Sequence, residues 1–106
     1  MTVPVVSLSD KHAQFDDTWS PKRIARMDDY EVKLAKASGS FDWHSHEGED
    51  ELFLVTRGIL RIEIEGDEPV LLGPGELCVI PKGVRHRPVA KTEVVHMLLI
   101  EKSGVV

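Results

Sequence analysis

A chain of 106 residues, 42% hydrophobic and 29% charged, is long enough for one small domain with a real core and little spare stability. Its net charge of −5, with no long basic run or aromatic platform, argues against a nucleic-acid surface. The longest apolar run, Val94–Ile100, is broken by His96 and falls far short of the ~18 residues of a membrane span.

The N-terminus has no basic segment ahead of an apolar core, so a signal peptide is not expected. The single cysteine, Cys78, forbids an internal disulfide and fits a reducing cytoplasm, the expected location. Residues 1–29 are the least regular stretch and are expected to form an arm. Ser7–Phe15 suits a short turn or helix with Asp10 near its start, and Trp19 suits an anchor packed on the domain or on a second subunit.

From residue 30 to the end, 30–106, the pattern is that of one β domain. Val32, Leu34 and Lys36 alternate with Lys33, Ala35 and Ala37 until Gly39 breaks the strand. Leu52–Thr56 is an apolar strand ended by Arg57-Gly58. In Ile59–Glu65, Leu60, Ile62 and Ile64 share one face and Arg61, Glu63 and Glu65 the other. Gly66-Asp67 closes a hairpin onto Pro69–Leu72, and Gly73-Pro74-Gly75 is a tight turn. Glu76–Ile80 is stopped by Pro81-Lys82-Gly83, because proline cannot continue a central ladder. One strand follows His86, and Val94–Glu101 is the last. About seven to nine short strands, with turns every ~8–12 residues, predict an all-β sandwich or barrel.

Chemistry concentrates in four residues of that pattern. His44 and His46, two apart on an extended chain, project from one face with Cα atoms ~7 Å apart. Glu51 follows a polar loop that can turn the next strand alongside, and His86 follows the Pro81-Lys82-Gly83 turn. Three imidazoles and a carboxylate are donors for a first-row divalent metal; imidazole suits Zn, Fe, Ni and Cu, and the carboxylate admits Mn. A lone histidine is more often a surface or hydrogen-bonded residue than a ligand, and a His-x-His pair alone is evenly balanced; Glu51 and His86, each beside a strand or turn break, tip the case together with the resemblance given next. Glu47, Glu49 and Asp50 are competing donors; the motif spacing of that resemblance implies Glu51 and leaves the others as a solvated rim.

The run Gly39-x4-His44-x-His46-x4-Glu51-x6-Gly58 resembles the first motif of the cupins, and Gly75-x5-Pro81-x-Gly83-x2-His86 resembles their second. Sixteen residues, 59–74, separate the two, a spacing similar to that of small single-domain bacterial cupins. The resemblance implies a double-stranded β-helix, or jelly-roll barrel, and places His44, His46, Glu51 and His86 at the family's metal-ligand positions. It implies turn geometry, and no chemistry, for Gly58, Gly75, Pro81 and Gly83. Two departures stand out. Four residues rather than the usual five separate Gly39 from His44, and Ala90 replaces a polar Asn, so one pocket hydrogen bond is expected to be missing.

Other residues have plainer readings. Cys78 suits a small buried hydrophobe, and His96 either a general base facing the interior or a hydrogen-bonded core or interface residue. His12 is expected in solvent. Arg85 and Arg87 alternate with His86 and should point away from it, and solvated surface is the default for Arg57 and Arg87, either of which could also sit at a barrel mouth. Phe53, on the face of Glu51, suits the wall of a cavity and packing in the core equally well.

Three functions are compatible with this pattern: a metal-dependent enzyme acting on a small molecule, a non-catalytic module binding a small ligand or metal, and a domain with a purely structural metal. A twofold homodimer covering Leu52, Leu54 and the Trp19 arm is also expected, and light scattering at tens of micromolar should read twice the chain mass.

Overall fold

The computed structural model describes residues 1–103; the last three residues of the expected domain, 104–106, lie outside them. Helix α1 (Leu8–His12) is followed by eight strands. These are β1 (Lys22–Met27), β2 (Tyr30–Ala37), β3 (Glu51–Arg57), β4 (Leu60–Ile64), β5 (Val70–Leu72), β6 (Leu77–Ile80), β7 (His86–Ala90) and β8 (Val95–Lys102). They form a five-stranded sheet, β1-β2-β8-β3-β6, and a three-stranded sheet, β5-β4-β7, all neighbours antiparallel. The fold is the jelly-roll barrel.

Strand parity explains the core. In β3, Glu51, Phe53 and Val55 are buried while Leu52 and Leu54 are half-buried; in β8 the inward row is Val95, Met97, Leu99 and Glu101. Both meet Leu60, Ile62 and Leu72 of the smaller sheet in one apolar cluster. In β2 the inward row is the small pair Ala35 and Ala37, which leaves room inside the barrel. Leu34 and Lys36 therefore lie on the opposite, outer face, beside α1.

The smaller sheet is longer than its three strands. Ser40 bridges Val89 and His44 bridges His86, so residues 39–44 run antiparallel along the free edge of β7. Phe41 N–H donates to the Pro88 carbonyl at 3.0 Å, a ladder position at which Pro88 need only accept.

The first 29 residues are more ordered than their sequence suggests. Ser7 caps α1, its hydroxyl accepting the Asp10 N–H at 3.3 Å. Lys22–Met27 is a strand, in register with β2 around a bulge between Arg23 and Ala25. It carries no apolar alternation because most of both its faces meet solvent. Trp19 adopts a left-handed φ of 57°, uncommon for a bulky side chain. It is held there by its backbone N–H on the Lys36 carbonyl at 2.8 Å and its indole N–H on the Ser38 carbonyl at 2.9 Å.

His12 is not in solvent. It is 3% exposed, stacked on His96 with ring centroids 4.3 Å apart on the outer face of the large sheet. Burial, then His96 and Lys36, push its imidazole from 6.5 to about 4. The unfolded chain then takes up this proton first as pH falls. The contribution of His12 to stability is intact above pH 6.5 and is lost between pH 6.5 and about 4. His12→Phe keeps an aromatic stack without the proton. Urea midpoints of that variant should fall less steeply across this window than those of the unmodified chain; parallel curves would refute the assignment.

Candidate metal centre

The four donors selected from the sequence meet. One ligand atom each from His44, His46, Glu51 and His86 lies within 4.8 Å of the other three. Each arrives on a different piece of backbone. His44 ends the segment paired with β7, His46 is in the loop beyond it, Glu51 opens β3 and His86 opens β7. His44 and His86 face each other across the ladder, exchanging both backbone hydrogen bonds at 3.0 and 2.8 Å, which brings their ring centroids to 4.4 Å. The His46 carbonyl accepts the Gly83 N–H at 2.8 Å, tying its loop to the turn before His86.

The donor set fits an ion. His86 Nε2, His46 Nε2 and Glu51 Oε1 are buried with no hydrogen-bond partner among the described residues, an arrangement that is unfavourable unless something binds them. Two donors each ~2.1 Å from one ion stand about 3–3.5 Å apart. Glu51 Oε1 is 3.3 Å from His46 Nε2 and 3.6 Å from His86 Nε2. The ring orientations are set from behind: His44 Nδ1 lies 2.9 Å from the Asp42 carbonyl and His86 Nδ1 lies 2.9 Å from the Val84 carbonyl. A carbonyl can only accept, so each Nδ1 carries the proton and each Nε2 lone pair faces the centre. Burial also favours the neutral imidazole of His44 and holds it below its ordinary value, although the Asp42 carbonyl pulls the other way.

The acidic loop does not compete. Glu47 accepts from Ser45 Oγ at 2.8 Å and Asp50 from the Lys82 N–H at 3.0 Å. Glu49 is not the solvated rim residue expected: it is 5% exposed and accepts the Lys102 N–H at 2.6 Å.

A cavity of about 300 Å³ opens beside the cluster. Phe53 lines it, as its strand parity indicated, together with Trp19, Phe41, Met97 and Leu99. His96, Arg57 and Arg87 do not line it. His96 and Arg57 face clefts outside the barrel, and Arg87 pairs with Glu63 and lies over Trp43, 5.5 Å from the ring centroid. Arg85 lies over the same ring at 5.8 Å, so both arginines flanking His86 point away from the cluster. Cys78 is half-buried against the core, and burial raises its thiol above the ordinary value.

Sequence reasoning missed Glu101. It closes the inward row of β8, is 4% exposed, and lines the cavity with Glu51. Lys33 Nζ meets its Oε1 at 2.8 Å. Burial raises the Glu101 carboxyl to about 7, assisted by Glu51 and opposed by Lys33. Burial also pushes Glu51 upward, but His86, Glu101 and His46 outweigh it and hold Glu51 below its usual range. Of the two, Glu101 is the one that takes up a proton first, and Glu51 stays ionised. The available signal was positional: continuing the row Val95, Met97, Leu99 by two residues turns an acid inward.

Comparison with known proteins agrees with this architecture. The cupin domain family matches residues 30–101. The chain is 34% identical over 97 residues to the YdbB protein of Bacillus subtilis strain 168, covering 92% of this chain and 80% of that one. It is 44% identical, with a TM-score of 0.88, to the crystal structure of a cupin-2 domain containing protein of Shewanella frigidimarina, covering 92% of this chain and 94% of the other. The crystal structure of a Neisseria meningitidis protein, NMB1881, is 27% identical with a TM-score of 0.85, over 94% of this chain and 100% of that one.

Proposed function

The chain belongs to the cupin domain family, and from that premise we propose that it is a metal-dependent enzyme acting on a small molecule, with His44, His46, Glu51 and His86 as the ligands of one divalent transition metal (Zn, Fe, Mn or Ni). The observation that carries this reading is the convergence of four donors, three of them buried without partners, at the wall of a cavity. A purely structural ion has its ligands closed around it, whereas His44, His46 and Glu51 here belong to the wall of a cavity. An ion held there would supply Lewis acidity, polarising an oxygen of a bound substrate. The remaining work falls to the chain. The apolar walls exclude water, and Glu101, a buried carboxyl held by Lys33, lines the same cavity as an acid–base group separate from the four donors, placed to give or take a proton. That proton-carrying group favours turnover over binding alone.

Metal-free protein loaded separately with Fe²⁺, Mn²⁺, Ni²⁺ and Zn²⁺ should hold one ion per chain, and Glu51→Gln should hold it far more weakly. Screening the loaded forms against small metabolites should find turnover that Glu101→Gln lowers at least tenfold while leaving metal content unchanged. Ligand binding without turnover, whatever the metal, would overturn the enzyme reading and leave the binding module. On the same footing we propose the twofold homodimer. The outward Leu77 and Val79 of the edge strand β6 are 56% and 49% exposed, beside Leu52 and Leu54, and a second copy would cover them.

A further inference from the structure

We propose that the ligand of this cavity is a small molecule with an apolar, aromatic body and one chelating head that is at most monoanionic. This rests on the metal reading above and goes further, to the class of substrate.

The walls give the body. Trp19, Phe41, Phe53, Pro88, Met97 and Leu99 line the cavity, and its volume of about 300 Å³ lies at the small end of the ~300–1,000 Å³ usual for ligand sites. The aromatic wall is ordered. The Trp19 and Phe41 ring centroids are 5.2 Å apart, and Phe41 in turn meets His44 edge to face at 5.3 Å. Trp19 comes from the N-terminal arm and its ring is fixed by the bond to the Ser38 carbonyl. A flat ring entering here therefore meets a prearranged aromatic surface that leads to the donor cluster.

Charge sets the head. Among the described residues no lysine or arginine lines the cavity. Lys33 is engaged by Glu101, and Arg85 and Arg87 lie over Trp43 outside the barrel. A divalent ion with one carboxylate ligand and three neutral imidazoles keeps one unit of positive charge, which one anionic head neutralises. A second carboxylate or a phosphate on the same ligand would be left against apolar walls and Glu101 without a counter-ion. Dicarboxylates and sugar phosphates are therefore disfavoured by the lining itself.

The test uses Co²⁺-loaded protein and three probes with the same chelating head, read by calorimetry and by the visible absorption of the bound Co²⁺. Benzohydroxamate should bind at least about tenfold more tightly than acetohydroxamate, which lacks the ring. It should also bind at least about tenfold more tightly than 4-carboxybenzohydroxamate, which adds a second anionic group at the far end of the ring. Phe41→Ala, a change at a partly exposed ring, should remove most of the first difference and little of the second. Equal affinity for all three probes with Co²⁺ in place overturns the inference and leaves the metal reading standing. Failure of Co²⁺ to bind overturns the metal reading and the inference with it.

Discussion

Adding a suitable divalent metal to the metal-free protein is expected to raise its thermal midpoint by about 10–20 °C. A ligand that binds only the native state at a hundredfold excess over its dissociation constant stabilises it by about 2.7 kcal/mol. For a domain near 100 residues each kcal/mol moves the midpoint by roughly 4–8 °C. The native state is the one that binds because the donors come from separate backbone segments and meet only when β3 and β7 are both in place. His86→Ala should abolish the shift. His86 is fully buried, so its loss will also lower the midpoint of the metal-free form. The quantity to compare is therefore the difference with and without metal within each protein, by calorimetry. Glu51→Gln, which keeps the side-chain shape, should lose most of the shift as well. A shift that survives both substitutions would remove the four-donor assignment.

The second large effect lies away from the donor cluster. Gly58→Ala should destabilise the protein by at least about 2 kcal/mol, or roughly 8–16 °C in midpoint. Gly58 turns the chain from β3 to β4 at φ +82°, where an L side chain is strained. A Cβ there would also stand 2.5 Å from the Val94 carbonyl oxygen and 2.6 Å from Thr92 Oγ1. That hydroxyl is committed, accepting the Ile59 N–H at 3.1 Å and donating to the Val94 carbonyl at 3.0 Å. Gly66→Ala is the control. Its φ is +79°, but a Cβ would meet nothing within 4 Å, so only the backbone strain, about 1 kcal/mol, remains. Equal losses at the two positions, measured by denaturant unfolding, would show that the close approach at Gly58 contributes nothing.

The parts of this molecule legible in its sequence are those where one residue type repeats on one face. β3, β4 and β8 are strands with a buried row, and their alternation located them and put Glu51 and Phe53 on the inner side. The donor cluster was legible because strand parity, turn positions and a two-part motif agreed. β1 was not, because Lys22, Arg23 and Arg26 stand on a strand exposed on most of its surface, so no row forms. The inward row of β2 was ambiguous because its core members are the small Ala35 and Ala37 while the larger Leu34 lies beneath α1. The burial of His12 and Glu49 depends on what packs over them, and Glu101 reads as an ordinary strand-end charge until the cavity is known. The carbonyls behind His44 and His86 were out of reach for another reason: a backbone oxygen looks the same in every residue.

The bridge between His44 and His86 has a bearing on how the chain reaches its native state. The two are distant in sequence, with β3, β4, β5 and β6 all lying between them in the chain. Closing so long a loop is entropically unfavourable and is recovered only when the barrel seals. The donor cluster therefore sits on a long-range seam of the barrel, one that contacts between chain neighbours alone do not close. An ion held across that seam would act as a clasp, lengthening the lifetime of the closed barrel by slowing the step in which residues 39–44 peel away from β7.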